Sequence, residues 1–133
     1  MKVVIVLDKD LPVGVQANAA AVLAFSVSGR LPGAVGGDLV DADGSLHPGI
    51  TNVPLPVLAC EEDGLRSLRE KARSLPQVAC VDFPDVAQRA KTYADYEASL
   101  GAAREAELKY LGLCIYGEPS SVRRLTGHLA LVK

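Results

Sequence analysis

The sequence predicts an α/β domain in three layers, a mixed and mostly parallel sheet of about four strands with helices on both faces. Three observations carry this. Short aliphatic runs alternate with helical segments along the whole chain, the pattern of strands joined by crossovers. The first run, Val3–Leu7, is apolar at every position, as a strand covered on both faces is. The alanine-rich segment that follows is apolar on nearly every side, as a helix packed closely on a sheet is. A chain of 133 residues has the length of one domain, taken as 1–133, and no repeat or linker divides it.

Each element has a local reason. Residues 3–7 form the first strand, closed by Asp8-Lys9-Asp10, and Leu11 to Gly14 form a loop. Val15 to Ser28 form a helix that Gly29 and Pro32 end, since glycine after the last turn and proline beyond it are stop signals. Asp38-Leu39-Val40-Asp41 and Ser45-Leu46-His47 flank Ala42-Asp43-Gly44, whose Asp-Gly pair is a hairpin signal because both central residues can take positive φ. Val57–Cys60 is the next strand. Residues 63–75 form an amphipathic helix, with Leu65, Leu68, Ala72 and Leu75 on one face and Arg66, Arg69 and Arg73 on the other. Acidic residues precede it, where a helix start favours them. Val78–Val81 is a third strand, and Pro84 is placed to open a helix. Thr92 to Asp95 resembles a capping box that restarts a helix through Leu100 and Ala103. Tyr110–Tyr116 is the fourth strand, Pro119 opens a last helix, and Gly127 closes it.

Composition narrows the function classes. Apolar residues make up 49% of the chain and aromatic ones 5%, with no tryptophan, so the core is built from Val, Leu and Ala. A net charge of −2 and a pI near 5.6 supply no overall field for nucleic acid or acidic lipid, although a local basic patch is compatible with both. Nothing reads as a signal peptide, because the first apolar run is too short, and no run approaches ~18 apolar residues. Cys60, Cys80 and Cys114 are odd in number and lack CxxC spacing, which points to reduced thiols and a cytoplasmic setting. Each lies in or beside an apolar strand and is expected to pack as a small hydrophobe.

The stretch from Gly117-Glu118-Pro119 to Thr126-Gly127-His128-Leu129 resembles the end of peptidyl-tRNA hydrolase II. Asp10-Leu11-Pro12-Val13-Gly14 before an alanine-rich helix is similar to that family's first strand–loop–helix. Asn18-Ala19-Ala20-Ala21, His47-Pro48-Gly49-Ile50, and Asp82-Phe83 with Tyr93 and Tyr96 downstream resemble more closely an uncharacterised family of the same superfamily, the domain of unknown function 2000. The resemblance implies a peptidyl-tRNA hydrolase II-like fold. It also exposes a departure. The hydrolases carry lysines after the loop glycine, one of them catalytic, whereas no Lys or Arg occurs here between Lys9 and Arg30. A cation able to hold phosphate or polarise an ester carbonyl is thereby missing. Of the hydrolases' Asp-Ala-Gly-Arg-Thr segment only the aspartate is matched, by Asp82.

The candidate site residues are His47 and Asp82 as catalytic groups and Asp10, Asn18 and Gly117 as ligand-binding groups. His47 is a loop imidazole able to act as a general base. Asp8, Asp10 and Asp82 are placed near strand ends, where open α/β sheets bind ligands. Asn18 offers an amide near the start of an apolar helix, and Gly117 leads into a helix start whose amides can receive an anion. Each has a plainer reading, as a turn residue, a helix cap or a solvated side chain. His128, just past a helix end, reads as structural, and the Arg66/Arg69/Arg73 stripe as a solvated face. Scattered histidines and cysteines imply no metal or other cofactor. The expected function is small-ligand binding in a pocket near the first strand–helix loop. The alternatives are an aminoacyl- or peptidyl-tRNA ester hydrolase and a non-catalytic module that forms a homodimer through its small-residue helices. The acidic pI and the missing lysines make tRNA the less favoured partner.

Overall fold

In a computed structural model describing residues 1–133, strand β1 (Lys2–Asp8) is the centre of a five-stranded sheet. The order across the sheet is β5 (Val78–Pro84), β6 (Tyr110–Gly117), β1, β4 (Val57–Cys60) and β7 (Ala130–Leu131). Side chains of β1 alternate between two apolar clusters, as the period of a strand requires. Val3, Ile5 and Leu7 meet Ala19, Leu23 and Val27 of helix α1 (Val13–Ser28). Val4 and Val6 meet Leu65, Leu68 and Ala72 of α2 (Glu62–Arg73) and Val122 of α5 (Pro119–Thr126). Helices therefore cover both faces of the sheet. Burying each Leu contributes roughly 1.5–3 kcal/mol. Gly112 of β6 allows α1 to sit this close, because a Cβ there would stand 2.8 Å from Leu7 and 3.0 Å from Leu23.

The expectation of a mostly parallel sheet is corrected. Only β1 and β4 pair in parallel, whereas β1–β6, β5–β6 and β4–β7 are antiparallel. The physical reason lies between β5 and β6. Helices α3 (Asp85–Arg89) and α4 (Tyr93–Ala102) and the 3₁₀ turn Glu105–Glu107 do not carry the chain across the sheet. Tyr110 re-enters opposite Pro84, and Asp85 N–H donates to Lys109 C=O at 2.8 Å, so β5 and β6 form a wide hairpin with a helical insert. A helix between two strands predicts a crossover; this one is a detour. The fifth strand, β7, spans two residues and carries no alternating pattern of its own.

Strands β2 (Leu39–Val40) and β3 (Leu46–His47) form a separate antiparallel pair at the tip of an arm between α1 and β4. The turn differs from the one expected. Gly44 N–H donates to Asp41 C=O at 3.0 Å, and Gly44 (φ +84°) is the residue there at positive φ, while Asp43 is not. This matches a three-residue loop ending in a left-handed glycine. Two boundaries also move: α1 begins at Val13, and Pro84 ends β5 instead of lying inside the following helix. The cap by Thr92 forms as expected, its hydroxyl accepting from Asp95 N–H at 3.1 Å.

Candidate functional site

The largest concavity, about 700 Å³, runs between α1, the outer strand β5 and the α3–α4 segment. It exists because β5 is an edge strand and the insert returns alongside it without covering it. Helix α1 supplies Asn18, Val22 and Ser26 to one wall, a 4-residue spacing that keeps them on one face, and Arg30 extends that wall from the turn just beyond the helix. Strand β5 supplies Val81, Asp82 and Phe83, and the insert supplies Lys91, Tyr93 and Tyr96. The two tyrosine rings stand edge to face with centroids 5.7 Å apart. Burial, then the charge of Asp82, pushes the Tyr96 phenol above its ordinary value, so it remains a hydrogen-bond donor through the neutral range.

Asp82 also belongs to a second arrangement. Arg69 Nε donates to its Oδ2 at 3.0 Å. Arg69 and Arg66 lie over the Tyr110 ring, their guanidinium carbons 4.9 and 5.3 Å from its centroid. The Tyr110 hydroxyl donates to Glu105 at 2.9 Å, and Arg66 donates to the same oxygen at 2.8 Å. Burial and the Glu105 bond push the Tyr110 phenol up to about 12. The arginine stripe expected to be a solvated face thus packs in part: Arg66 and Arg69 are half-buried and only Arg73 is exposed. The pattern hid this because the acidic and aromatic partners come from residues 82, 105 and 110, remote in sequence.

The structure brings Asn18 and Asp82 to one cleft and leaves the other three candidates outside its lining. His47 is exposed on the arm, where its Nε2 lies 2.8 Å from Asp41 Oδ2. That bond, followed by N–H donation from Ser45 and Asp43, holds Asp41 below the ordinary carboxylate range. The pair therefore closes the hairpin. Asp10 forms a turn, its N–H donating to Asp8 Oδ1 at 2.9 Å. Gly117 pairs with Lys2, at the end of the sheet opposite Asp8 and Asp10. The helix start beyond it already holds a carboxylate: Glu118 accepts from Ser120 and Ser121 N–H at 2.9 and 2.8 Å. The cleft also lies along the middle of α1 instead of at the β1–α1 loop.

Arg30 and Lys91 were not singled out by the sequence, since isolated cations in loops carry no pattern. Tyr93 and Tyr96 did have a signal, being two of only four tyrosines and one helical turn apart. The cysteines pack as expected. Burial raises Cys60 to about 11 and Cys80 and Cys114 to about 12, so no thiolate forms near neutrality. No three or more His, Cys, Asp or Glu side chains gather as a metal site, and no helix is long and apolar enough to cross a membrane.

Fold and cleft together define a mixed α/β fold with a central, mostly antiparallel sheet, helices on both faces and a groove at one sheet edge. The chain belongs to the family described as protein of unknown function, DUF2000, whose pattern matches residues 1–133. Among solved structures it is similar to a protein of unknown function from Agrobacterium tumefaciens strain C58. The TM-score is 0.85 at 17% identity, over 98% of this chain and 96% of that one. At that identity the likeness concerns the fold alone. No curated protein matches the chain.

Proposed function

We propose that this chain is a cytoplasmic, small-ligand-binding relative of the peptidyl-tRNA hydrolase II superfamily, and that its ligand occupies the groove between α1, β5 and α4. The observation that carries this reading is the groove itself. Its volume of about 700 Å³ lies within the roughly 300–1,000 Å³ range of small-molecule sites. Its lining pairs apolar and aromatic surface (Val22, Phe83, Tyr93, Tyr96) with a few polar groups (Asn18, Asp82, Arg30, Lys91). Such a lining suits a molecule with a flat apolar body and an anionic group. The rings receive the body, Arg30 and Lys91 face the charge, and the Asn18 amide fixes orientation. Asp82, already bonded to Arg69, accepts hydrogen bonds from the ligand and holds the cleft's shape.

The ester-hydrolase reading is weaker. The cations of this cleft stand at the end of α1 and in the insert, whereas the hydrolases' lysines follow the loop glycine. His47, offered as a base, is held by Asp41 on the arm.

A thermal-shift screen of aromatic carboxylates and nucleoside monophosphates tests the proposal, because a ligand bound only by the folded state raises stability by mass action. At 100-fold excess over Kd the gain is about 2.7 kcal/mol. The expected result is stabilisation by one chemical class, abolished by Tyr93→Ala and by the Arg30→Gln/Lys91→Gln pair. Stabilisation that survives both variants would remove the ligand from this groove. Tight, salt-dependent retention of tRNA on a filter, with no small molecule stabilising, would restore the hydrolase reading.

A further inference from the structure

A second concavity, about 200 Å³, lies on the opposite face of the sheet between α2 and the end of α5. Leu68, Leu125 and Leu129 contribute apolar surface, and Ser67, Gly64 and Cys60 line one side. Three basic side chains line it as well: Lys71 from α2, Arg124 from α5 and His128 just beyond α5. The ion pairs of the molecule engage Lys9, His47, Arg66, Arg69, Arg89 and Lys109. Lys71, Arg124 and His128 take part in none of them. In a chain of net charge −2, three basic groups free of ion pairs, one from α2, one from α5 and one from the segment after α5, line one cavity.

We infer that this cavity is a binding site for a small phosphate-bearing molecule, with Lys71, Arg124 and His128 holding the oxyanion and the three leucines receiving a short apolar portion. Arg presents a planar fork of N–H donors that matches phosphate geometry, while Lys contributes a compact charge. Ser67 adds a hydroxyl able to donate. The two carboxylates nearest Cys60 lie outside the lining, and each has a partner: Glu61 pairs with Lys9 at 3.6 Å, and Asp8 accepts from Asp10 N–H. Cys60, held at about 11 chiefly by burial, stays a neutral thiol and does not repel an anion.

A competing account needs no ligand. Lys71 and Arg124 fall in the last turns of their helices, where cations offset the helix dipole. That account explains a basic residue at each helix end. It does not explain why both line the same cavity as His128, which lies outside either helix. A cavity of about 200 Å³ has room for a phosphate monoester of a small alcohol.

The test is a titration of the full chain with inorganic phosphate and with methyl phosphate, followed by ¹⁵N–¹H correlation spectra against sodium chloride at matched ionic strength. The expected result is saturable shifts confined to Gly64, Ser67, Lys71, Leu125, His128 and Leu129, larger for methyl phosphate. The Lys71→Gln/Arg124→Gln pair should weaken binding at least tenfold and leave the unliganded spectrum otherwise unchanged. Tyr93→Ala, which empties the other groove, should leave it intact, so the two proposals stand or fall separately. Shifts spread over all basic residues, or matched by chloride, would overturn the site. Retention on phosphatidic acid vesicles with no response to methyl phosphate would overturn a soluble ligand in favour of a lipid surface.

Discussion

β1 and the β2–β3 arm are both aliphatic β structure, yet they are held in different ways. Residues 3–8 are all buried, and β1 pairs on both sides. On the arm Leu39, Val40, Leu46 and Ile50 are all exposed. The arm is fixed instead by backbone and carboxylate bonds: Gly36 N–H to Ile50 C=O at 2.8 Å, Gly49 N–H to Asp38 at 2.8 Å, and the two amides on Asp41. An isolated two-stranded hairpin is marginal in water, so these local bonds carry it. The contrast teaches that an apolar strand pattern reports pairing, while burial depends on what lies on either side.

Matched substitutions sharpen the contrast most. Leu113→Ala in β6, where the side chain is fully buried, should cost about 2–5 kcal/mol through lost transfer energy and the cavity left behind. Leu46→Ala on the arm should cost less than about 0.5 kcal/mol. Urea unfolding midpoints at two protein concentrations check both. A large, concentration-dependent cost for Leu46→Ala would break the comparison, because a second copy would then be covering the arm. Ion pairs give the next contrast. Arg69→Met should destabilise by about 2 kcal/mol, between the values for exposed and buried pairs, since it leaves Asp82 half-buried without its partner. His47→Gln, which removes the exposed imidazole beside Asp41, should leave the unfolding midpoint where it was.

The same contrast decides what was legible in the sequence. β1 and the helix after it, α2, the α4 cap and the α5 start could be read because their signals are local: an apolar run, a 3.6-residue stripe, a Thr and a Pro at their proper offsets. The strand directions could not. Whether α3–α4 crosses the sheet or returns along its edge is set by the Pro84–Tyr110 pairing, 26 positions apart. Of the site, Asn18 and Asp82 were legible as polar residues among apolar ones, and both line the groove. His47 stood out for the same reason, yet its partner Asp41 is six residues away on the same hairpin. Nearness to a local partner is what separates a residue closing its own loop from one facing a groove.

Acid acts on the locally bonded parts of the molecule and leaves the β1 ladder in place. Glu118 accepts from the backbone and hydroxyls of Ser121 and Ser120, which hold its carboxyl at about 2 against an ordinary 4.5. Asp41 on the arm is lowered in the same direction. A group whose folded value is depressed stays charged in the fold at pH values where the unfolded chain already binds a proton. Its contribution is therefore complete above the unfolded value and is lost as pH falls through the folded one. Wild type should be more heat-stable than Glu118→Gln near neutral pH, and the gap should narrow below about 4.5 and close near 2. On the arm, Asp41→Asn should speed amide exchange at Asp43 and Ser45 near neutral pH, and acid should bring wild type to the same rate. Amides of β1 should not respond over that interval, because no carboxylate side chain supports its ladder with β4 and β6. A Glu118→Gln gap that stays constant with pH would show that the start of α5 needs an acceptor there but no charge.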